Sequence, residues 1–224
     1  MSTSTVAPPA RRPLRADAAR NRVRILQAAR EVFADRGLDV TLDDIAKQAG
    51  LGVGTVYRRF ADREALVEAL FTERMQVVIE RARAAVDAPD AWSALVSLLE
   101  EICQDMSRDR GLHQVMLSSE YGQDRVARHR EELVPLISAL VGRAQAEGTL
   151  REGFSAEDIP PMLVMVSAVA DFARGVSPDL WRRYFTMLVD GLRARPGQQA
   201  LQACGALGAD ELASATCGYR VRRR

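Results

Sequence analysis

Apolar residues recur at spacings of three and four from about residue 20 to residue 194, and this period restricts the fold more than any other feature. Such spacing gathers apolar side chains on one side of an α-helix, whereas a half-buried strand needs alternation at every second residue. Few stretches alternate in that way, so we predict an all-α protein. With 47% hydrophobic residues among 224, the chain can bury a core, which excludes a mostly disordered protein.

Residues that begin or end helices divide this periodic region. Gly37 is predicted to end the first helix, and Thr41 is predicted to cap the second, with Asp44 completing a capping box. Asp62 is predicted to cap a long helix. The second helix is predicted to end near Ala49, and further helices are predicted at about Val53–Phe60, 92–106, 112–117 and 124–146. Another helix is predicted to begin at Ser155 or Asp158, with Pro160 and Pro161 in its first turns. The last is predicted to begin at Ser177, with Pro178 at its first helical position.

The sequence lacks the features of a membrane protein, a secreted protein or a common enzyme class. No apolar run approaches the length of a transmembrane helix, and the N-terminus lacks the apolar segment of a secretory signal, so we expect a cytoplasmic protein. Three widely spaced cysteines without a CxxC motif indicate neither a disulfide framework nor a zinc site. The two histidines form no metal-spacing pair, and no GxSxG or phosphate-binding loop occurs. We therefore predict no catalytic residue, metal or cofactor.

Residues 41–60 have the apolar spacing of a helix-turn-helix. Ile45 is predicted to face inward from the first of its two helices, Gly50 to permit the turn, and Val56 to pack back from the second. Helices this short are not stable alone, so they need the apolar stripe of the preceding helix as support. Together the three helices are predicted to form one unit.

The second of these short helices is predicted to expose a surface suited to DNA. Glycines at its start keep it slim enough to enter a major groove, while its arginines supply positive charge. An arginine-rich segment at residues 11–24 adds charge near the N-terminus. The same residues also fit a structural helical hairpin with a solvated basic face. The candidates for contact with base edges are Val53, Gly54, Thr55 and Arg58.

The segment TLDDIAKQAGLGVGTVYRRFADREAL resembles the DNA-binding signature of the TetR family of transcriptional regulators. The resemblance covers roughly residues 20–68. It implies a three-helix DNA-binding domain, a larger helical domain that binds a small-molecule effector, and a homodimer formed by the last two helices. By position, it implies that the segment from Gly52 to Arg58 lies in the major groove. It also implies phosphate contacts from Thr41, Tyr57, Arg59 and Arg63.

Two residues depart from the usual pattern of that family. Gly52 stands where many members have serine or another polar residue, which removes one contact to DNA. Arg63 stands where lysine is usual, which keeps the positive charge. The details of recognition therefore differ from those of a typical member.

The later helices supply candidates for an effector site, because the resemblance implies that effectors bind among the middle helices. Aromatic and methionine side chains at helical spacing also form ordinary cores, and both interpretations stay open. His113 is the first choice for a polar contact. The candidate ligand-binding residues are Trp92, Met106, His113, Met116, Tyr121, Met162, Met165 and Phe172.

The last two helices carry broader apolar faces than the covering of one core requires. We interpret the surplus as the interface of a four-helix homodimer contact, with packing inside one chain as the alternative. The residues assigned to these faces are Met162, Val166, Val169, Ala170, Trp181, Tyr184, Phe185 and Leu188.

These predictions divide the chain into four parts: a disordered basic arm at 1–18, a helix-turn-helix domain at 19–66, an effector-binding and dimerisation domain at 67–195, and a loosely ordered tail at 196–224. We expect a homodimeric repressor that a small molecule releases from a near-palindromic operator in double-stranded DNA. The alternatives are an activator, a helical adaptor that does not bind DNA, and an enzyme.

Overall fold

A computed structural model describes residues 12–37, 40–108, 123–201, 205–208, 211–212 and 214–215. Its helices are α1 (Arg12–Arg36), α2 (Leu42–Ala49), α3 (Val53–Tyr57), α4 (Arg63–Val86), α5 (Ala91–Arg108), α6 (Gln123–Ala146), α7 (Ile159–Ala173) and α8 (Leu180–Leu192). A 3-10 turn, Ala156–Asp158, precedes α7. These ranges contain no strand, only an isolated bridge between Leu150 and Arg193. The predicted all-α fold is confirmed.

Local signals explain several helix ends. The Thr41 hydroxyl accepts a hydrogen bond from the Asp44 amide at 3.2 Å, and the Asp44 carboxylate accepts one from the Thr41 amide at 3.0 Å, which is the predicted capping box. The Asp62 carboxylate accepts a hydrogen bond from the Ala65 amide at 2.7 Å and caps α4. Pro160 and Pro161 lie in the first turn of α7, where few intrahelical amides are lost.

Two predicted helix boundaries were wrong, and one predicted helix lies outside the described residues. α3 ends at Tyr57 rather than Phe60. The last helix begins at Leu180, so Ser177 and Pro178 belong to the turn before it, in which the Leu180 amide donates to the Ser177 carbonyl at 3.0 Å. The short helix predicted at 112–117 falls within the residues that the structure leaves undescribed.

Two apolar cores organise the described chain. The first joins α1, α2 and α3 to the beginning of α4, and the second joins the end of α4 to α5, α6, α7 and α8. Cys103 lies in the second core, and its burial raises the pKa of its thiol to about 12. Leu133 on α6 packs against both cores. The two parts of the fold therefore share helices rather than a flexible linker.

The transition between these cores falls within α4, later than the predicted boundary at residue 66. Met75 is buried in the first core and Val78 in the second. The first core uses a longer part of α4 because Leu66, Val67 and Phe71 cover the short helices as well. α4 is thus one continuous helix that belongs to both cores.

Both ends of the described chain differ from the predicted arm and tail. α1 begins at Arg12, so residues 12–18 of the predicted disordered arm are helical. At the other end, residues 196–201 are held to the domain, because the Arg151 guanidinium donates to the Gln199 carbonyl at 2.6 Å. This hydrogen bond joins residues 48 positions apart, so local sequence did not predict it.

Candidate nucleic-acid interface

The turn between α2 and α3 is set by backbone geometry and apolar packing. Gly50 has a φ of 61°, a left-handed conformation that glycine adopts without a Cβ penalty. The Leu51 amide donates to the Ala46 carbonyl at 3.0 Å and closes the turn. Ile45 and Val56, which were predicted to pack toward each other, are both fully buried in the first core. The opposite side of α3 therefore faces outward.

Two arginines of α1 fix this unit in a way that the sequence did not reveal. Arg24 donates to the carbonyls of Ala49 at 2.8 Å and Gly50 at 3.3 Å, which satisfies acceptors left unpaired where α2 ends. The guanidinium of Arg22 lies 5.3 Å from the centroid of the Phe60 ring. From the sequence, both arginines were predicted only to belong to a basic segment. Their partners are distant in sequence, so no local pattern identifies them.

The structure brings most of the predicted DNA-contacting residues onto one surface, which we call the α3 face. Its side chains project from a helix that is anchored by Val56 underneath. Thr55 is half-buried at the edge of this face. The exposed members are Gly52, Val53, Gly54, Tyr57, Arg58 and Arg59. Two of these six carry a positive charge, which is the sign that DNA phosphates attract.

Hydrogen bonds within the face orient some of these groups. The Arg58 guanidinium donates to the Thr55 hydroxyl at 3.3 Å, so two of the predicted base-contacting side chains lie side by side. Arg59 is exposed and makes no ion pair with the described residues. Arg63, at the start of α4, lies 3.3 Å from the Glu64 carboxylate and is half-buried.

Thr41 occupies its capping role and lies beside α2, apart from the α3 helix itself. Its hydroxyl donates to the Asp44 carboxylate at 2.7 Å while accepting from the Asp44 amide. Hydrogen bonds from the Thr41 hydroxyl and then the Thr41 amide lower the pKa of Asp44. A phosphate contact from Thr41 stays a prediction, since the described contacts of this residue are all with α2.

The structure shows the effect of glycine at position 52, where many family members have serine or another polar residue. It is the N-cap of α3 and supplies no side-chain hydrogen bond to the helix. Its φ of −64° is one that any residue adopts, and a Cβ there would approach only the Thr55 hydroxyl, at 3.9 Å. A Cβ on Gly54 would meet no heavy atom within 4 Å. The fold itself therefore requires glycine at neither position.

Comparison with known proteins agrees with this geometry. Residues 25–70 match the family described as bacterial regulatory proteins of the tetR family, and residues 90–194 match the C-terminal domain of SbtR-like transcriptional regulators. A TetR transcription regulatory protein from Mycobacterium vanbaalenii is 32% identical, with 81% of this chain and 100% of that chain covered and a TM-score of 0.57. The chain belongs to the TetR family.

Two further relatives extend the comparison. An HTH-type transcriptional regulator from Mycobacterium bovis is 29% identical over 148 residues, which are 64% of this chain and 76% of that protein. FadR from Bacillus subtilis, solved in complex with stearoyl-CoA, shares the fold at 21% identity, with 76% of this chain and 98% of that chain covered and a TM-score of 0.59. The relatives are regulators, so this TetR-family chain is a DNA-binding transcriptional regulator.

The predicted ligand-binding residues of the TetR-family chain separate into three groups. Trp92, Met106 and Met162 are all buried in the second core, but Trp92 and Met106 lie near opposite ends of α5, about 21 Å apart along the helix. Met165 and Phe172 are exposed on the opposite side of α7, away from that core. The others, His113, Met116 and Tyr121, lie outside the described residues.

The predicted dimer faces are partly wrong, because several of their residues lie on the side of α7 or α8 that faces the chain's own core. Met162, Val166, Ala170, Trp181 and Phe185 are buried inside the chain, where they fill the second core. Sequence periodicity predicted broad apolar faces on these helices but did not tell which part of each face meets the chain's own core. The core takes the side that α5 and α6 can cover.

A different apolar surface is left exposed, and we call it the outer face. Phe172 is 88% exposed and Val176 is 93% exposed, values that are high for large apolar side chains. The members of the outer face are Pro161, Met165, Ala168, Phe172, Val176, Tyr184, Met187 and Gly191. Pro161, Met165, Ala168 and Phe172 lie three and four residues apart along α7, and Tyr184, Met187 and Gly191 have the same spacing on α8, so each helix has one exposed side. Val176 lies in the turn after α7.

A cleft of about 930 Å³ lies between the turn after α6 and the C-terminal segment, and it includes none of the predicted ligand-binding residues. Two polar residues of its lining hold the C-terminal segment, since Gln198 donates to the Gly191 carbonyl at 3.2 Å and Arg151 donates to the Gln199 carbonyl at 2.6 Å. In the described ranges, no helix combines the length and apolar character that crossing a bilayer demands.

Proposed function

We propose that this regulator is a homodimeric repressor whose α3 face reads a near-palindromic operator and whose helical domain releases the DNA when a small molecule binds. One observation carries the proposal: Val56 fixes α3 in the first core, while Val53 and Tyr57 on α3 and Arg59 just after it are exposed and belong to neither core. The predicted contacts with bases and phosphates, including those of Thr41 and Arg63, belong to this proposal.

The outer face supports the dimer. A patch that includes Phe172, Val176 and Met187 costs free energy in water, and a second copy of the same two helices would cover it in a four-helix contact. Such a contact is symmetric, so it presents two α3 faces related by a twofold axis. Two recognition helices about 34–36 Å apart fit successive major grooves on one side of B-DNA, where palindromic half-sites lie.

The continuity of α4 supports the release mechanism. Glu73 on α4 is ion-paired with Arg30 on α1, while Arg81 on α4 donates to Asp105 on α5 at 2.9 Å. A ligand that shifts α5 relative to α4 therefore also acts on the helix that supports the α3 face. A coupling free energy of about 1–3 kcal/mol would change operator affinity by about 5–150-fold.

The position of the effector is proposed from the fold and the earlier candidates. FadR, which shares this fold, holds stearoyl-CoA. We place the effector of this chain in the helical domain near Trp92, Met106 and Met162, with His113, Met116 and Tyr121 as further contacts. Binding there requires side chains of the second core to move apart. Met165 and Phe172 are better explained by the outer face.

A reporter experiment tests repression directly, in the cytoplasm of cells in which we expect the protein to act. The promoter that the purified protein binds is fused to a reporter, and expression is compared with and without the gene for this chain. A repressor predicts higher expression without the gene. Lower expression would instead indicate an activator, and a Tyr57→Ala, Arg59→Ala double variant that regulates normally would indicate an adaptor that does not bind DNA.

A further inference from the structure

Val53 is an apolar side chain on a surface that is otherwise polar or without side chains. It is the first residue of α3 and is 42% exposed, whereas Val56 in the same helix is fully buried. Val53 belongs to neither apolar core. Tyr57, one helical turn later, lies on the same side and is 49% exposed. Packing within the described chain therefore does not account for a valine here.

Helix stability does not account for it either. A β-branched residue loses rotamer freedom in a helix and is less favourable there than alanine. Exposed positions that only need to be soluble and helical are better filled by alanine or by a charged residue. The valine at position 53 is therefore available for a contact that the isolated chain does not make.

The neighbours of Val53 leave it free to approach another molecule closely. Gly52 and Gly54 flank it, and a Cβ at either position would point into open or nearly open space. Because neither glycine has a left-handed φ, the backbone does not demand them. In the segment 52–54, valine thus provides the single side chain, and its short reach suffices if the backbone comes close to its partner.

We propose that Val53 packs against the C5 methyl group of a thymine in each half of the operator. This inference rests on the proposed function, since it assumes that the α3 face enters the major groove. Valine has no hydrogen-bonding group, and the thymine methyl is the apolar feature that base edges present in the major groove. Placing valine against an amino group or a carbonyl oxygen would remove water from that group without replacing its hydrogen bond. Val53 therefore selects thymine over the other bases.

The test removes the methyl group from the DNA rather than from the protein. A footprint first locates the operator of the purified full-length protein. Each thymine of the protected site is then replaced in turn by deoxyuridine, which lacks only the C5 methyl, and the Kd is measured for each duplex. One thymine in each half-site is expected to matter. Its replacement should weaken binding about fourfold, the factor that corresponds to ~0.8 kcal/mol for one buried methylene-sized group.

A variant assigns the effect to this residue. Val53→Ala should bind the unmodified operator less tightly and should lose the penalty for deoxyuridine at that thymine. Val77→Ala is the matched control, because Val77 is a 40% exposed valine on α4 that has no place on the α3 face. The control should keep both the affinity and the penalty of the unaltered protein.

Different results contradict different claims. If every deoxyuridine duplex binds as tightly as the unmodified operator, the contact with thymine does not exist, although the protein still binds DNA. The same conclusion follows if Val53→Ala keeps the full deoxyuridine penalty. Absence of any protected operator would overturn the proposed function, and this inference with it.

Discussion

At the scale of single residues, Arg59 and Arg58 on the α3 face suit different kinds of contact with DNA. Arg59 is exposed and makes no ion pair with the described residues, whereas Arg58 is hydrogen-bonded to Thr55 at 3.3 Å. A free guanidinium at the edge of a groove suits a phosphate, which carries no sequence information. A side chain held against its neighbour on the helix suits a base edge, where direction matters.

Arg59→Ala is therefore expected to weaken binding to all DNA sequences by a similar factor. A phosphate contact releases counterions whatever the base, so the slope of log K against log salt should fall by about 1 for each protomer. Titrations of operator and non-operator duplexes at several salt concentrations measure both effects. Arg83→Ala, which removes the same charge from α4, should leave the slope unchanged.

Thr55 and Arg58 are expected to behave differently from Arg59. Replacing either should change the order in which operator variants are preferred, because a base contact discriminates between sequences. Binding selection from a randomised half-site provides the measurement. A uniform loss across all variants would show that these side chains contact the backbone instead.

The capping box at Thr41 predicts a specific dependence of stability on pH. Hydrogen bonds from Thr41 lower the pKa of Asp44 in the folded state, so the unfolded state binds the proton more tightly. The contribution to the free energy of unfolding is complete above the ordinary pKa of an aspartate and is lost as the pH falls through the lowered pKa. Denaturant unfolding in acidic buffers should therefore show a steeper loss for the unaltered protein than for Asp44→Asn. If the unaltered protein and Asp44→Asn lose stability equally as the pH falls, Asp44 does not cause the pH dependence.

At the scale of helices and turns, substitution by alanine is expected to have opposite effects on stability at Gly50 and Gly54. Gly50→Ala places a Cβ in the left-handed region and 3.4 Å from the Arg24 guanidinium, at a cost of about 1–2 kcal/mol in the free energy of unfolding. Gly54→Ala adds a Cβ in open space within a helix and should stabilise the fold by roughly 0.5–1 kcal/mol. Thermal unfolding of the two variants compares them directly. The opposite ranking would mean that the turn is not as described.

The same elements show how much the sequence could predict. The caps at Thr41 and Asp62 and the turn at Gly50 were predicted because each depends on residues within a few positions. The contacts of Arg24 with Ala49 and Gly50 could not be predicted, since they join residues about 25 positions apart. Local chemistry thus predicted the helix-turn-helix but not the side chains that hold it to α1.

The later helices show a second limit. Periodicity indicated that α7 and α8 carry more apolar surface than one core needs, and both helices do expose apolar residues besides those that they bury. It assigned Met162, Val166 and Phe185 to a partner chain, but they fill the chain's own core. The neighbouring helices decide which side of α7 and α8 faces the core, and the local sequence does not contain that information. The predicted effector residues meet the same difficulty, because Trp92 and Met106 look alike in sequence whether they surround a ligand or a core.

At the scale of the whole molecule, the outer face and the α3 face must work together. A dimer with the two faces on a common axis predicts that affinity for a palindromic operator depends on Phe172, although Phe172 touches no DNA. Phe172→Glu places a charge in the centre of the outer face and should produce a monomer. Light scattering or sedimentation measures the change in mass. The variant should also lose most of its preference for two half-sites over one.

Val77→Glu is the control for this change, because it introduces the same charge at an exposed valine of α4 that does not belong to the outer face. It should remain dimeric and should bind the operator normally. A dimer that survives Phe172→Glu would place the contact between copies elsewhere on the molecule. A monomeric unaltered protein would remove the dimer from the proposal.

Sequence-specific DNA binding by the α3 face is tested most directly with the purified protein and the DNA upstream of its own gene, by footprinting and by titration at several salt concentrations. We expect a protected, near-palindromic site with half-sites about 10–10.5 base pairs apart or a multiple of that spacing. We also expect an affinity that falls steeply with salt, because several arginines replace counterions on the phosphates. Sequence-independent binding there and across a genome-wide selection of fragments would contradict sequence-specific binding, since the α3 face would then have no sequence to read.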